Sequence, residues 1–283
     1  MDLQQILDVP TEEFHKVSKV KVNILQDTQS LYQHFAKSIA DEIKQSNAEG
    51  KSTRIILPVG PTPQYRILAD ISNKEKISWK NVYTFSMDEY LDWQGRPISL
   101  NHPMSFEGFM RKNLFDLLDR EIRIPEDHIH FPHPFRIDEI SEKIKVVGGI
   151  DTCYGGIGYH GHIAFNEPPI SMWYKISKEE FKNSLTRVVQ LAPDTAVINS
   201  IGGAGGNSSM IPPMAVTLGM RDILSSGRIR LYCDGGDWQR TIFRIVCLGE
   251  ISVQYPATFV QEHPDCVIGV DSYTAECPKS APK

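Results

Sequence analysis

Short apolar runs recur along the chain and are separated by stretches with a helical pattern. Each run is rich in β-branched or aromatic side chains and is bounded by Gly, Pro or Asp, which is typical of buried strands. Such runs favour a mostly parallel sheet covered on both faces. The predicted strands are Arg54–Pro58, Val82–Ser86, Ile150–Tyr154, Thr186–Leu191, Ala215–Leu218, Ile229–Cys233 and Cys266–Val270.

Amphipathic helices are predicted between these runs. From Gln29 to Gln45 an apolar residue recurs at every fourth position, with Asp27 or Thr28 as a candidate N-cap and Gly50 beyond the end. A second stripe follows the turn at residues 101–103, and a shorter helix is predicted over Gln64–Ser72. We interpret both stripes as core faces, made of Leu31, Phe35, Ile39 and Ile43 in the first, and of Phe106, Phe109, Met110, Leu114 and Leu117 in the second.

The alternation of strands and helices predicts an α/β fold. We expect an open, doubly wound, mostly parallel sheet with helices on both faces and a ligand site outside the carboxyl ends of the strands. The expected organisation is one domain over residues 1–283, with its core at about residues 20–270 and short terminal extensions. The glycine-rich segment Ile201–Pro213 is interpreted as a loop, which is either a lid or a plain connector.

Composition and charge narrow the class of partner. The 283 residues are 41% hydrophobic and carry a formal net charge of −5, with no dense block of Lys or Arg. This argues against a nucleic-acid or membrane partner and favours a small molecule. Five scattered cysteines without a C-x-x-C pair, and no signal peptide or long apolar run, predict a cytoplasmic protein with reduced thiols.

The segment Gly155–Pro169 concentrates candidate chemistry at the end of a predicted strand. Gly156 and Gly158 allow the backbone to approach a ligand closely. His162 can carry a proton near neutral pH, and Glu167 is close enough in sequence to orient it. The segment is therefore a candidate active site.

Two other strand ends add polar groups. After the strand Arg54–Pro58, the loop Val59, Gly60, Pro61 and Thr62 precedes a helix, so its N–H groups and hydroxyl can face an anion, although such loops are often plain turns. After Val82–Ser86 come two carboxylates, Asp88 and Glu89. One of them is a candidate general base, and the alternative is a solvated acidic loop or a helix cap.

Taken in order, these motifs resemble the glucosamine-6-phosphate deaminase family, also called glucosamine-6-phosphate isomerase. The matching segments are residues 57–63, 79–90, 102–110 and 155–168, and weaker agreement extends over about residues 20–270. The strings Met-Asp-Glu-Tyr and Gly-His-Ile-Ala-Phe-Asn-Glu-Pro are specific. The resemblance implies a modified Rossmann fold and conversion of an aminohexose 6-phosphate into a ketohexose 6-phosphate and ammonia, without a metal or other cofactor.

The resemblance also implies roles for individual residues. Asp88 would move a proton from C2 to C1, His162 would open the sugar ring, and Glu167 would hold His162 in place. A carboxylate and an imidazole suit these proton transfers, and no covalent nucleophile is needed. The implied substrate contacts are Val59, Gly60, Pro61, Thr62, Glu89, Gly156 and Gly158.

One departure from the family lies beside the catalytic histidine. The family has Asp two positions before it, whereas this chain has His160. Loss of a carboxylate and gain of an imidazole predict a lower pKa for His162. His160, His162 and Glu167 also raise the hypothesis of a metal site. We expect no metal, because Gly161 predicts a turn, no third His is near and the family is metal-free.

The other departures concern the phosphate pocket. Val59 lacks a hydroxyl and Pro61 lacks an N–H. The family's Arg and Lys are absent at the positions of Ile201 and of the turn 233–238, which instead contains Asp234 and Asp237. We expect tight binding of a 6-phosphate to be lost unless Arg240 or Arg66 supplies a cation; both could equally be ordinary helix residues.

The leading hypothesis is an aminosugar deaminase and isomerase whose substrate need not be phosphorylated at C6. A sugar-binding or regulatory protein without catalysis is one alternative, and a sugar lactonase of the same fold is another. A homo-oligomer is possible. Regulation by acetylated aminosugar is expected to be weak or absent, since only Arg187 falls where a basic cluster would be needed.

Overall fold

Ten strands and eleven α-helices are assigned in the computed structural model, which describes residues 2–169, 171 and 173–278. The strands are β1 Lys21–Leu25, β2 Thr53–Leu57, β3 Val82–Ser86, β4 Asp88–Leu91, β5 Ile129–His130, β6 Thr152–Gly156, β7 Arg187–Gln190, β8 Met214–Thr217, β9 Arg228–Cys233 and β10 Cys266–Asp271. The helices are α1 Leu3–Leu7, α2 Phe14–Val17, α3 Thr28–Ala48, α4 Gln64–Glu75, α5 Phe106–Asn113, α6 Glu139–Val146, α7 Lys178–Lys182, α8 Pro193–Gly203, α9 Met220–Leu224, α10 Arg240–Leu248 and α11 Ser272–Ala275.

The main sheet has seven parallel strands in the order β1-β10-β9-β6-β2-β3-β5. From β2 the chain adds β3 and β5 on one side, and then returns to place β6, β9 and β10 on the other side. The order therefore reverses between β2 and β6. In open α/β sheets a crevice forms at such a point, outside the carboxyl ends of the strands.

Alternate side chains of the central strands enter two separate cores. In β2, Ile56 packs into the core that also contains Phe243 and Val246 of α10. Its neighbours Ile55 and Leu57 face the opposite core, which is built largely from α3, α4 and α5. Because successive side chains of a strand point to opposite faces, helices cover both faces of the sheet. The predicted doubly wound α/β fold is confirmed.

The two predicted amphipathic helices form, with one difference. Asp27 caps α3 by accepting a hydrogen bond from the Ser30 N–H at 2.7 Å, and Leu31, Phe35, Ile39 and Ile43 are buried. The second stripe is interrupted because α5 ends at Asn113 and a 3-10 turn, Phe115–Leu117, follows. The expectation that Leu117 belongs to the core is wrong, since its side chain is exposed.

A second sheet, antiparallel and three-stranded, has the order β4-β8-β7. Only Met87 separates β3 from β4, so the chain passes directly from one sheet into the other. The runs predicted over residues 186–191 and 215–218 are strands, but they belong to this small sheet and not to the parallel one. A short apolar run has no feature that distinguishes the two kinds of pairing.

Three strands, β1, β4 and β5, have no counterpart in the predicted apolar runs. Strand β1 lies at the edge of the main sheet with largely exposed side chains, and β5 has only two residues.

The segment 201–213 is more ordered than the predicted loop, since its first three residues complete α8 and Ser208–Met210 forms a 3-10 turn. Within the described ranges, no helix is long and apolar enough to cross a membrane.

Candidate active site

A cleft of about 630 Å³ lies at the carboxyl ends of β9, β6, β2 and β3, which are consecutive in the sheet. It therefore occupies the point where the strand order reverses. The side chains and backbone that line it come from the segments that follow these strands and from α8. They include Pro58, Val59, Gly60, Pro61, Thr62, Asp88, Tyr90, Met104, Gly156, Gly158, His162, Phe165, Asn199, Gly202, Tyr232, Asp234, Trp238 and Gln239.

Asp88 is the carboxylate that β4 presents to the cleft. It is buried, and the burial of its charge, together with the nearby charge of Glu89, raises its pKa well above the ordinary value. Tyr90, two residues along the strand, lines the same cleft and its hydroxyl accepts a hydrogen bond from Asn199 Nδ2 at 2.8 Å. Asp88 is thus placed where a base facing a bound ligand would be.

Glu89 faces the opposite side of β4, because side chains alternate along a strand. Its carboxylate accepts hydrogen bonds from the N–H groups of Phe106 at 2.9 Å and Glu107 at 2.7 Å, and from the Ser105 hydroxyl at 3.2 Å. It therefore caps the first turn of α5 and is absent from the cleft lining. Burial raises the pKa of Glu89 while these hydrogen bonds oppose the shift. The expectation that Glu89 contacts substrate is not supported by this placement.

His162 is held by a turn built from glycines. The Gly158 N–H donates to the His162 carbonyl at 2.9 Å, and the Gly161 N–H donates to the Gly158 carbonyl at 2.8 Å, with Gly161 at a φ of +67°. The imidazole lies directly over Gly158, where a Cβ would be 1.9 Å from His162 Nε2. Only glycine at position 158 leaves space for the ring.

The pKa of His162 is lowered to about 3, first because the ring is buried and then because His160 is near. The direction agrees with the expectation from the sequence, although burial and not His160 is the larger cause. The two ring centroids are 6.0 Å apart. At neutral pH His162 is therefore a neutral imidazole, able to accept a proton.

His160 has a carboxylate partner that the sequence motifs do not include. Its Nε2 lies 2.6 Å from Asp194 Oδ2, and its Nδ1 lies 3.4 Å from the Thr195 hydroxyl. Both partners belong to the first turn of α8. Asp194 acts in the opposite direction to His160 on the pKa of His162, favouring the protonated ring. A carboxylate distant in sequence thus stands near the histidine pair.

Glu167 is buried and fixed on one side only. Its Oε2 accepts a hydrogen bond from the Ala192 N–H at 2.7 Å, whereas Oε1 and His162 Nδ1 are buried without a hydrogen-bond partner in the described part of the chain. Burial raises the pKa of Glu167. The role of Glu167 in orienting His162 stays a prediction.

His160, His162 and Glu167 each offer one ligand atom, and these atoms lie within 4.8 Å of one another. The turn expected at Gly161 is present, but it brings the three groups together and does not separate them. Two imidazoles and one carboxylate form a donor set that suits a transition metal. That the protein works without a metal stays a prediction.

The loop after β2 lies against the end of β6. A Cβ on Gly156 would be 2.8 Å from the Gly60 carbonyl oxygen, so the close approach requires glycine. Two side chains of α4 donate hydrogen bonds to loop carbonyls, Tyr65 to Pro58 and Gln64 to Pro61. Val59, Gly60, Pro61 and Thr62 all line the cleft, and their contact with substrate stays a prediction.

No Lys or Arg belongs to the described lining of the cleft. Arg240 is buried elsewhere, with its Nη2 3.3 Å from Asp237 and 3.0 Å from Glu276 and its guanidinium over the Tyr273 ring. Arg66 donates to Asn113. Neither cation compensates for those missing from the loops, so a substrate contact by Arg240 is not supported. Asp234 lines the cleft, whereas Asp237 is exposed outside it.

Comparison with known proteins agrees with this geometry. Residues 26–165 match the model of the family "Glucosamine-6-phosphate isomerases/6-phosphogluconolactonase". Glucosamine-6-phosphate deaminase of Mycoplasmopsis pulmonis is 30% identical over 260 residues, which cover 90% of this chain and 94% of that protein. The deaminase of Borreliella afzelii is 33% identical over 245 residues, covering 83% and 84%. The chain belongs to the glucosamine-6-phosphate deaminase family.

Solved structures of similar proteins extend the comparison to the fold. A monomeric glucosamine-6-phosphate deaminase superposes with a TM-score of 0.75 at 28% identity, covering 90% of this chain and 98% of that one. A 6-phosphogluconolactonase of Thermotoga maritima shares the fold at a TM-score of 0.63 and 18% identity. Family membership is consistent with the position of the cleft, whose described lining contains Asp88 and Asp234 but no Lys or Arg.

Proposed function

We propose that this family member is an aminosugar deaminase and ketol-isomerase that uses Asp88 and His162. The observation that carries the proposal is that these two buried side chains line one cleft at the reversal point of the sheet. The relatives that match most of the chain are named glucosamine-6-phosphate deaminases, which supports the same reaction class. Homology supports an amino group at C2 of the sugar.

In the first step, His162 opens the sugar ring. A neutral imidazole accepts the proton of the anomeric hydroxyl and delivers a proton to the ring oxygen, while the bond between C1 and the ring oxygen breaks. The lowered pKa of His162 keeps the ring unprotonated before this step, and it also makes the ring a weaker base than a free imidazole. The product is the open-chain aldehyde.

In the second step, ionised Asp88 removes the proton from C2, and the electrons of the C–H bond form a C1–C2 double bond. The carbonyl oxygen at C1 takes a proton from the ammonium group of the substrate, which gives an enol with a neutral amine at C2. The same carboxyl returns its proton to C1, which leaves a protonated imine at C2. Water then adds to the imine and ammonia departs, giving the ketose. One carboxyl group facing adjacent carbons is sufficient for the transfer.

The direct test is an assay of both products. The purified protein is incubated with glucosamine and, separately, with glucosamine 6-phosphate. The amounts of ammonia and of ketose that form are measured over time. We expect one ketose for each ammonia released, and we expect neither product to form in Asp88→Asn. Binding of either sugar without ammonia or ketose would instead support a sugar-binding protein, and hydrolysis of a sugar lactone would support a lactonase.

We also propose a cytoplasmic location. All five cysteines are free, and four of them are buried. Free thiols are usual in a reducing compartment. Fractionation of the source cells with an antibody to the protein tests this location.

A further inference from the structure

Asp234 and Asp88 lie toward opposite ends of the cleft. Asp88 follows β3 and Asp234 follows β9, with β2 and β6 between those two strands. At roughly 4.8 Å per strand, the carboxyl ends of β3 and β9 are about 14 Å apart. A ligand that reacts between Asp88 and His162 can therefore extend toward Asp234.

The described lining of the cleft offers carboxylates and neutral polar groups but no cation. Its hydroxyl and amide groups include Thr62, Tyr90, Asn199 and Gln239. A phosphate monoester carries a charge of about −1.5 to −2 at neutral pH and is normally bound by Arg, Lys or several free N–H groups. The described lining therefore provides no full positive charge for the phosphate of a phosphorylated sugar.

The loop after β2 does not compensate for the missing cations. Pro58, Pro61 and Pro63 have no N–H group to donate, and Val59 has no hydroxyl. Thr62 provides the side-chain hydroxyl of this loop. The N–H groups of Val59, Gly60 and Thr62 and the Thr62 hydroxyl remain as hydrogen-bond donors, but none of them carries a full positive charge.

Asp234 has one oxygen available to a ligand. Tyr32 donates a hydrogen bond to Oδ2 at 2.8 Å, whereas Oδ1 receives none from another residue in the described ranges. The side chain is half-buried and lines the cleft. A carboxylate oxygen in this position accepts a hydrogen bond from a sugar hydroxyl and repels a phosphate.

We propose that the cleft is specific for an aminosugar with an unphosphorylated C6, and that Asp234 Oδ1 accepts the hydrogen bond of the C6 hydroxyl. The inference rests on the proposed function, which places an aminosugar between Asp88 and His162. It assigns to Asp234 the recognition of the sugar end that does not react.

The test measures binding separately from turnover. Calorimetric titration compares 2-amino-2-deoxyglucitol with its 6-phosphate, since neither alditol has a carbonyl at which to react. We expect the unphosphorylated alditol to bind at least tenfold more tightly, because one charge-assisted contact or one like-charge repulsion changes affinity by about that factor or more. Asp234→Asn should reduce this preference at least tenfold, and Asp234→Lys should reverse it.

Asp237→Asn is the matched control, since it makes the same charge change three residues away and outside the cleft, and it should leave the preference unchanged. Tighter binding of the 6-phosphate by the natural protein would overturn the inference, as would failure to bind the unphosphorylated alditol. Turnover of glucosamine 6-phosphate together with tight binding of the 6-phosphate would overturn the inference and retain the proposed function. Binding of the unphosphorylated alditol without turnover of glucosamine would retain the inference and overturn the proposed function.

Discussion

Asp88 and Glu89 are adjacent in β4, yet their carboxylates serve opposite sides of the strand. Asp88 lines the cleft, whereas Glu89 accepts backbone hydrogen bonds from Tyr90, Phe106 and Glu107. One side of the strand thus presents a candidate base, and the other secures α5. Substitution of Asp88 should therefore act mainly on turnover, and substitution of Glu89 mainly on stability.

Replacement of Asp88 by Asn should abolish turnover while stabilising the fold. Loss of a general base lowers kcat by about 10²- to 10⁴-fold. Because burial raises the pKa of Asp88 in the folded state, ionisation of this group opposes folding, and its destabilising effect grows as pH rises above the unfolded pKa. We expect Asp88→Asn to increase the free energy of unfolding by about 0.5–2 kcal/mol at pH 7, with less gain near pH 4. Urea unfolding at both pH values checks this; equal or lower stability at pH 7 would contradict it.

Replacement of Glu89 by Ala should act mainly on stability. The buried N–H groups at the start of α5 would lose their acceptor, at a cost of about 2–4 kcal/mol. Glu107→Ala is the control at the same helix start, since it removes a partly exposed ion pair with Arg111 and should cost about 1 kcal/mol or less. Denaturant titration measures both variants. A normal stability of Glu89→Ala combined with a large rise in KM would show that Glu89 binds substrate after all.

Much of the fold follows from the sequence, because long apolar stripes and short apolar runs depend on local periodicity. The helix that contains Leu31 and Phe35 and strand β6, which precedes His162, are of this kind. The small antiparallel sheet is not, since pairing of β4 with β8 depends on contacts far apart in the chain. Strand β1 was missed because an exposed edge strand has no continuous apolar run.

The site was predicted in part. Asp88, His162 and the loop 59–62 line one cleft, as motif order indicates. The outward direction of Glu89 could have been inferred from strand alternation if β4 had been recognised. The partnership of Asp194 with His160 spans 34 positions and arises from the packing of α8, so no local pattern reports it. No local pattern shows either that Arg240 is paired with Asp237 and Glu276 outside the cleft.

Restoring the carboxylate at position 160 should make His162 more basic. In His160→Asp, a negative group replaces an imidazole 6.0 Å from the His162 ring, so the pKa of His162 should rise from about 3. His160→Asn is the control, because it removes the imidazole without adding a charge and should produce the smaller rise. NMR titration of the imidazole signals follows both. A pKa of His162 in His160→Asp no higher than in the natural protein would contradict the account.

Addition of a methyl group at Gly158 should displace the imidazole of His162. The new Cβ of Gly158→Ala would lie 1.9 Å from His162 Nε2, so the ring must move. A displacement of about 1 Å can reduce the rate 10²-fold, and we expect at least that loss in kcat. Gly202→Ala also alters the cleft lining, but its Cβ meets nothing within 4 Å, and it should retain most of the activity. Similar kcat values for the two variants would exclude the tight packing of His162 on Gly158.

The fate of the proton at C2 of an aminosugar tests the proposed role of Asp88, which is to carry this proton to C1. Glucosamine labelled with deuterium at C2 is incubated with the protein, and the ketose is examined by NMR for label at C1. We expect ammonia release with part of the deuterium at C1 of the ketose and the rest in water, and no such product from Asp88→Asn. Ketose formation that persists in Asp88→Asn with label still transferred to C1 would contradict this role.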